Sequence, residues 1–358
     1  MSGGSGPGAV EHVAPRALTW LTARRDEMVS LLRELARMES PSRDAGAQRP
    51  IQQAFADALG ELGFEARVEP GSETGGALVA TGPGWREGEP CQLLLGHTDT
   101  VWPLGTLADM PVDLDEDAGV LRGPGVFDMK GGLVIGLYAL RALAALGVEP
   151  RVPVAALFNA DEEIGSPESE PLVVAWAGRA SRVFVLEPAL GEEGLLKTSR
   201  RGVGQFRVRV RGRAAHAGLD PGKGASAIEE LAHVVLALHA LSDAAAGISV
   251  NVGEIRGGTR PNVVAAEAEA VVDVRVSTRD QAREIEARVR ALTATVPGTR
   301  LEIEGGVDRP PMEFDAGVQA LWGAAQAGAR AMGVGLGHGM SGGASDGNLT
   351  CRYAPTLD

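Results

Sequence analysis

The feature that most constrains this chain is the run Gln92-Leu93-Leu94-Leu95, which closes on Gly96-His97-Thr98-Asp99-Thr100. Three leucines in succession cannot alternate between a wet and a dry face, so a strand here is buried on both sides. Such a strand belongs in a sheet with helices above and below it. The flanking sequence supplies them. Apolar residues recur at helical spacing over 14–38 (Leu18, Leu21, Met28, Leu31, Leu32, Leu35), and Glu39-Ser40-Pro41-Ser42 stops that helix. Further helices are predicted over 51–62 and 130–146. Another begins near Ser166-Pro167-Glu168, where a cap, a first-turn proline and an early acid coincide. Strands are predicted over 65–68, 77–80, 92–95, 152–158 and 182–186. This alternation gives an α/β fold with a mostly parallel sheet flanked by helices.

Near Gly202 the pattern changes. Phe206, Val208 and Val210 alternate with Arg207, Arg209 and Arg211, the signature of a strand with one wet face. A helix over 225–241, strands over 248–255 and 263–276, a helix over 280–292 and a strand over 300–303 follow. The order β-α-β-β-α-β is that of a split βαβ, ferredoxin-like sandwich. A helix over 316–331 then leads into a glycine-rich segment. The expected organisation is a tail over 1–13, a first domain over 14–201 and 308–358, and an inserted α+β domain over 202–307.

The formal net charge of −13 argues against a nucleic-acid partner, which needs a basic footprint. No apolar run reaches about 18 residues, so no membrane span is expected, and MSGGSGPG lacks the charge and apolar core of a secretory signal. Two cysteines, Cys91 and Cys351, are expected as free thiols in a cytoplasmic protein.

The chemistry-bearing residues cluster at predicted strand ends. His97 and Asp99 lie two apart, on one side of a strand, where a carboxylate can hold the second ring nitrogen of a metal-binding histidine. Asp128 falls just before a helix in Gly125-Val126-Phe127-Asp128-Met129-Lys130-Gly131-Gly132, where it serves equally as an N-cap. Asn159-Ala160-Asp161-Glu162-Glu163-Ile164-Gly165 puts adjacent acids beyond a strand's C-terminal end, where open α/β sheets place ligands; a solvated acidic turn is the plain alternative. Leu186-Glu187-Pro188 ends another apolar strand in the same way. One histidine with several carboxylates is a ligand set for zinc, with manganese or cobalt also suited.

In this order the segments HTD, GxxDMKGG, DEEIGS, EP, HAG and GG-S-DG resemble the two-zinc aminoacylase and carboxypeptidase metallohydrolases. These include glutamate carboxypeptidase, acetylornithine deacetylase and succinyl-diaminopimelate desuccinylase, and the glutamate carboxypeptidase branch is the most similar. The resemblance implies a zinc-peptidase-like fold with the insert as a lid and dimerisation domain. It implies two zinc ions, with His97 on one, Asp128 bridging, and Glu163 and Glu187 completing one site each. Asp99 would orient His97, the Asp128–Met129 bond would be cis, and Glu162 would be the general base for a zinc-bridged water. The implied reaction is hydrolysis of an amide bond, releasing a C-terminal amino acid such as glutamate or deacylating an N-acyl amino acid. His216 would stabilise the oxyanion, from the neighbouring subunit of a homodimer. Asn262 and Arg275 would hold the substrate carboxylate, although Arg275 can equally pair with a strand neighbour, and Gly343 lies in the loop that carries backbone donors. Lys197, Arg201 and Arg309 could meet an acidic substrate side chain.

The family has a further histidine ligand in a glycine-rich segment downstream of the GGASDG loop, and this sequence ends at Pro355-Thr356-Leu357-Asp358 before it. The alternative expectation is therefore a truncated or degenerate member with impaired zinc binding that acts as a non-catalytic binding protein. His338, upstream of the loop, is not expected to replace that ligand.

Overall fold

The computed structural model describes residues 8–358. Residues 1–7 of the expected tail lie outside the described residues, and from Gly8 the chain is helical. The helix expected over 14–38 is two helices, Gly8–Thr22 and Arg25–Ala36, because Arg24 leaves helical geometry (φ −118°, ψ 15°). The chain divides into two compact units, one comprising residues up to Thr198 with 314–339 and 345–358, the other 199–313 with 340–344. The glycine-rich segment around Gly343 thus groups with the second unit.

The first unit is built on strands β1 (Glu65–Glu69), β2 (Ala77–Thr81), β3 (Cys91–His97), β4 (Val154–Asn159) and β5 (Ala180–Val185), with a short strand Thr356–Leu357. Their order is β1-β2-β4-β3-β5 and then 356–357. β3 runs parallel to both neighbours and 356–357 runs parallel to β5, whereas β1 and β2 join antiparallel. The leucine run behaves as its composition demands. Leu93 and Leu95 are fully buried on one face with Val183, Val173 and Trp176. Leu94 packs on the other face, against the cluster of Phe55, Leu133, Leu137 and Phe158. Each such side chain contributes about 1.5–3 kcal/mol of hydrophobic stabilisation.

One helix starts later than its sequence signals suggest. The segment at Ser166-Pro167-Glu168 is not helical, and the helix is Glu170–Ala177. Ser166 adopts a left-handed φ of 56°, and the carboxylate of Glu168 turns away to residues 72–74.

The second unit is a four-stranded antiparallel sheet with helices Ala227–His239 and Arg279–Arg290 packed on it. Its strands are β6 (Gly202–Arg211), β7 (Ser249–Gly257), β8 (Glu267–Val276) and β9 (Arg300–Arg309), in the order β7-β8-β6-β9. Phe206, Val208 and Val210 are buried with Leu231, Leu238, Val272 and Ile285. The alternate arginines of β6 pair across strands: Arg209 with Glu269 (2.8 Å) and Glu304 (3.0 Å), and Arg211 with Glu267 and Glu302. Exposed pairs contribute about 0.2–1 kcal/mol each, so the apolar face carries the stability and the charged face keeps the sheet wet. Among the described residues no helix is long and apolar enough to cross a membrane.

The two faces therefore respond differently to truncation. Phe206→Ala should lower the stability of the second unit by about 3–5 kcal/mol. Arg211→Ala should cost less than about 1 kcal/mol. Urea denaturation followed by circular dichroism, with hydrogen–deuterium exchange to resolve the second unit, measures both.

Candidate metal centre

The centre forms where the parallel strands end. His97 is the last residue of β3, the 160–165 segment follows β4, and Glu187 follows β5. Asp128 reaches the same point because the helix Gly131–Ala145 packs unusually close to the sheet. A Cβ at Gly132 would collide with the Leu186 carbonyl, and one at Gly96 would press on Leu133 and Met129. Gly132 of the DMKGG segment is thus required by close approach to the sheet rather than by turn geometry. The Asp128–Met129 peptide is cis.

His97 is completely buried, and acids surround it. Its Nε2 lies 3.2 Å from Asp128 Oδ1, 3.5 Å from Glu187 Oε1 and 4.0 Å from Glu162 Oε2. Two groups of potential ligand atoms share this imidazole: His97 with Asp128 and Glu163, and His97 with Glu162 and Glu187, each within 4.8 Å of one another. Glu162, expected only as a base, is therefore also within ligand distance.

Asp99 organises the centre more widely than its spacing from His97 suggests. His97 Nδ1 lies 3.1 Å from the Asp99 carbonyl and 3.3 Å from its carboxylate. The same carboxylate accepts from the backbone N–H groups of Glu162 and Glu163 (3.2 Å each) and from the Ser42 hydroxyl (2.6 Å). One carboxylate thereby fixes the ring and the loop that carries the two glutamates. Ser42 was legible in the sequence only as part of a helix stop. Two buried acids inside the quoted motifs have roles that sequence reasoning did not assign. Asp161 closes its own loop on Glu168 and Ser169 N–H groups (2.8 and 3.1 Å), and Asp346 accepts from Asn159 Nδ2 (2.6 Å) and Ser166 Oγ (2.5 Å).

Burial pushes Glu163 up to about 7, with the neighbouring Asp128, Asp99 and Glu187 adding to the rise against the attraction of His97. Burial is the largest influence on His97 and opposes its charge, yet hydrogen bonds to Asp128, Asp99 and Glu187 together raise its pKa well above the usual value. The protonated ring is the counter-cation of this acid cluster. A divalent cation fits the same donor set, an imidazole nitrogen with several carboxylate oxygens, and relieves the same repulsion.

With this geometry in view, comparison with known proteins is informative. Residues 198–299 match the peptidase dimerisation domain of the M20 family. The chain is 30% identical over 261 residues to carboxypeptidase G2 of Pseudomonas sp. (strain RS-16), covering 72% of this chain and 62% of that protein. It is 32% identical over 211 residues to the acetylornithine deacetylase of Myxococcus xanthus, covering 55% and 53%. The chain is a homologue of this carboxypeptidase and this deacetylase. It spans less than two thirds of the length of either relative. Its fold is shared with the M20 metallo-carboxypeptidase Sso-CP2 of Sulfolobus solfataricus (TM-score 0.66, 16% identity, 93% of this chain and 90% of that one). It is shared also with aminopeptidase PepT of Bacillus cereus (TM-score 0.72, 22% identity, 93% and 89%).

Other candidates from the sequence occupy different settings. Lys197 is buried, 3.6 Å from Glu187 Oε2 and 3.4 Å from Asp358 Oδ1. His338 bonds Thr198 (2.7 Å), and its ring lies beside Phe314 and Trp322. In the second unit, exposed His216 has Nδ1 accepting from the N–H groups of Gly218 and Leu219 (3.1 Å each). The neutral ring must then carry its proton on Nε2, as an outward donor. Asn262 lies beside it, its carbonyl accepting from Ala217 N (3.0 Å). Arg275 forks onto Asp273 (2.9 and 3.0 Å), the strand-neighbour pairing that the sequence left open. The Gly343 N–H donates to Ser341 Oγ (3.3 Å), and its carbonyl accepts from Arg200 (3.1 Å).

The raised values of Glu163 and His97 set the sign of a pH effect. Both groups hold protons more tightly in the metal-free fold than in the unfolded chain, so their contribution to metal-free stability falls as pH rises through those values. Ligand atoms must lose those protons to bind a cation, so zinc affinity should rise with pH through about 7, about tenfold per pH unit per proton displaced. Calorimetric zinc titrations in buffers of different ionisation enthalpy count the protons released.

Proposed function

We propose that this chain is a metal-dependent amidohydrolase that releases a C-terminal amino acid, glutamate being the first to test, or deacylates an N-acyl amino acid. The observation that carries the reading is the convergence of four acidic side chains on one buried imidazole at the C-terminal ends of parallel strands. We assign His97, Asp128, Glu163 and Glu187 as ligands of two divalent ions, zinc first, with cobalt or manganese as substitutes. Bound there, such ions supply Lewis-acid polarisation of the substrate carbonyl and acidify water.

The remaining steps belong to side chains of this chain. Glu162, partly exposed and 4.0 Å from His97, takes a proton from the attacking water and returns it to the departing amine. Asp99 keeps the imidazole oriented and holds the Glu162–Glu163 backbone against it. His216, protonated at Nε2, is a donor suited to the oxyanion, a role worth about 10²–10³ in rate where it has been measured. Asn262, Arg275 and the loop at Gly343 are assigned to the substrate carboxylate. Arg275 must exchange its fork on Asp273 for that of the substrate, and Arg is the residue type whose planar donors allow it.

We further propose a homodimer through the second unit. Ile228, Leu236 and Ile255 are exposed apolar side chains on the helix Ala227–His239 and the edge strand β7, an arrangement a second copy would cover. The two free cysteines fit a reducing compartment, the cytoplasm, and burial raises the Cys91 thiol to about 11, which keeps it unreactive.

Direct measurements examine these assignments. Purified protein should contain divalent metal by elemental mass spectrometry and hydrolyse N-acyl-glutamates. Glu162→Gln should keep the metal while kcat falls by about 10²–10⁴. Protein that binds no metal and turns over no amide would instead support a binding role. Leu236→Lys should convert dimer to monomer in sedimentation velocity.

A further inference from the structure

The loop that bears Glu162 and Glu163 is held at its far end by a carboxylate that the proposed chemistry does not use. Glu168 turns away from the helix it precedes. Its oxygens accept from three successive backbone N–H groups, those of Ser72 (3.0 Å), Glu73 (2.9 Å) and Thr74 (3.2 Å). The hydroxyls of Ser72 and Thr74 (2.6 Å for the latter) donate to the same carboxylate. Three converging amides and two hydroxyls make an anion nest, here filled by the chain's own glutamate. Those two hydroxyl bonds are the main cause of its pKa, lowered to about 2, so the carboxylate stays charged throughout the neutral range. Room for it depends on Gly71, where a Cβ would collide with the carboxylate.

The nest connects to the metal centre by two routes. Along the chain, the Glu168 and Ser169 amides donate to Asp161, and Ser166 N donates to the Asp161 carbonyl (2.8 Å), so residues 161–169 form a closed loop. Through space, buried Gln48 accepts from Gly75 N (2.5 Å) and donates to Ala160 O (2.7 Å) and Ser42 O (3.2 Å). Ser42 in turn bonds the Asp99 carboxylate that receives the Glu162 and Glu163 amides. Opposing these ties is repulsion: Glu163 faces Asp128, Asp99 and Glu187.

We propose that Glu168 is a positioning residue, a carboxylate latch that docks the 161–166 loop on the 72–74 nest and holds Glu162 and Glu163 in place against the like charges they face. This rests on the reading of Glu162 and Glu163 given above. A plain helix-capping role would direct the carboxylate to the first amides of Glu170–Ala177, whereas its oxygens meet the 72–74 amides instead.

The latch is tested on the full chain with Glu168→Ala and Glu168→Gln, by hydrogen–deuterium exchange and by zinc affinity from chelator competition. Glu168→Ala should raise exchange at the 162–166 amides at least tenfold while the strands of the sheet stay protected. It should weaken zinc binding by about 10–100-fold, as loss of a supporting hydrogen-bond partner does elsewhere. Added formate, which can enter the vacated nest, should restore part of both. Glu168→Gln keeps the volume without the charge, so it should loosen the loop less and gain nothing from formate. Wild-type exchange in both variants would overturn the proposal, and so would exchange that rises uniformly across the unit. If the wild type hydrolyses no amide, the assigned function fails, whereas the exchange and formate responses still decide the latch.

Discussion

Four carboxylates around one buried imidazole set the terms for the rest of the first unit. Asp128, Glu162, Glu163 and Glu187 repel one another, and burial removes the water that would screen them. Without a divalent ion the balance is kept by protons: His97 holds one firmly, and Glu163 shares one near neutrality. In the proposed metal-bound state the same atoms would be the ligands and would give up those protons, so the scaffold would have to hold its geometry in both states.

The scaffold does so through backbone donors more than through charge pairs. Asp99 takes two amides of the glutamate loop, Asp161 two amides farther along, and Glu168 three amides of the 72–74 turn. A carboxylate that accepts several N–H groups pins the main chain, and those donors offset the desolvation deficit of an unpaired buried charge. Asn159, at the end of β4, extends the same network to Asp346, 187 residues away in sequence. Acids thus do opposite jobs within a few residues: some converge on the His97 imidazole, while their neighbours turn to backbone amides and fix the loop.

Much of the fold was legible because burial dictates composition. The leucine run of β3 gave a strand covered on both faces, and the alternation on β6 gave a sheet with one wet face. The helix at Ala316–Ala331 falls where its periodicity places it. Where local signals misled, a tertiary contact had taken the residue. Ser166-Pro167-Glu168 has the composition of a helix start, but Glu168 bonds a turn 94 residues earlier in the chain. Lys197 reads as a free cation, yet it is buried between Glu187 and Asp358.

By itself, then, the sequence determined the layers of each unit and the candidate ligands, because burial periodicity and strand-end position are local properties of the chain. Only the tertiary structure decided which acids face the imidazole and which face the backbone, and that Glu162 stands in one group of potential ligand atoms with His97 and Glu187. The reason is physical. A carboxylate's role is set by the donors around it, and here those donors come from segments tens to hundreds of residues apart.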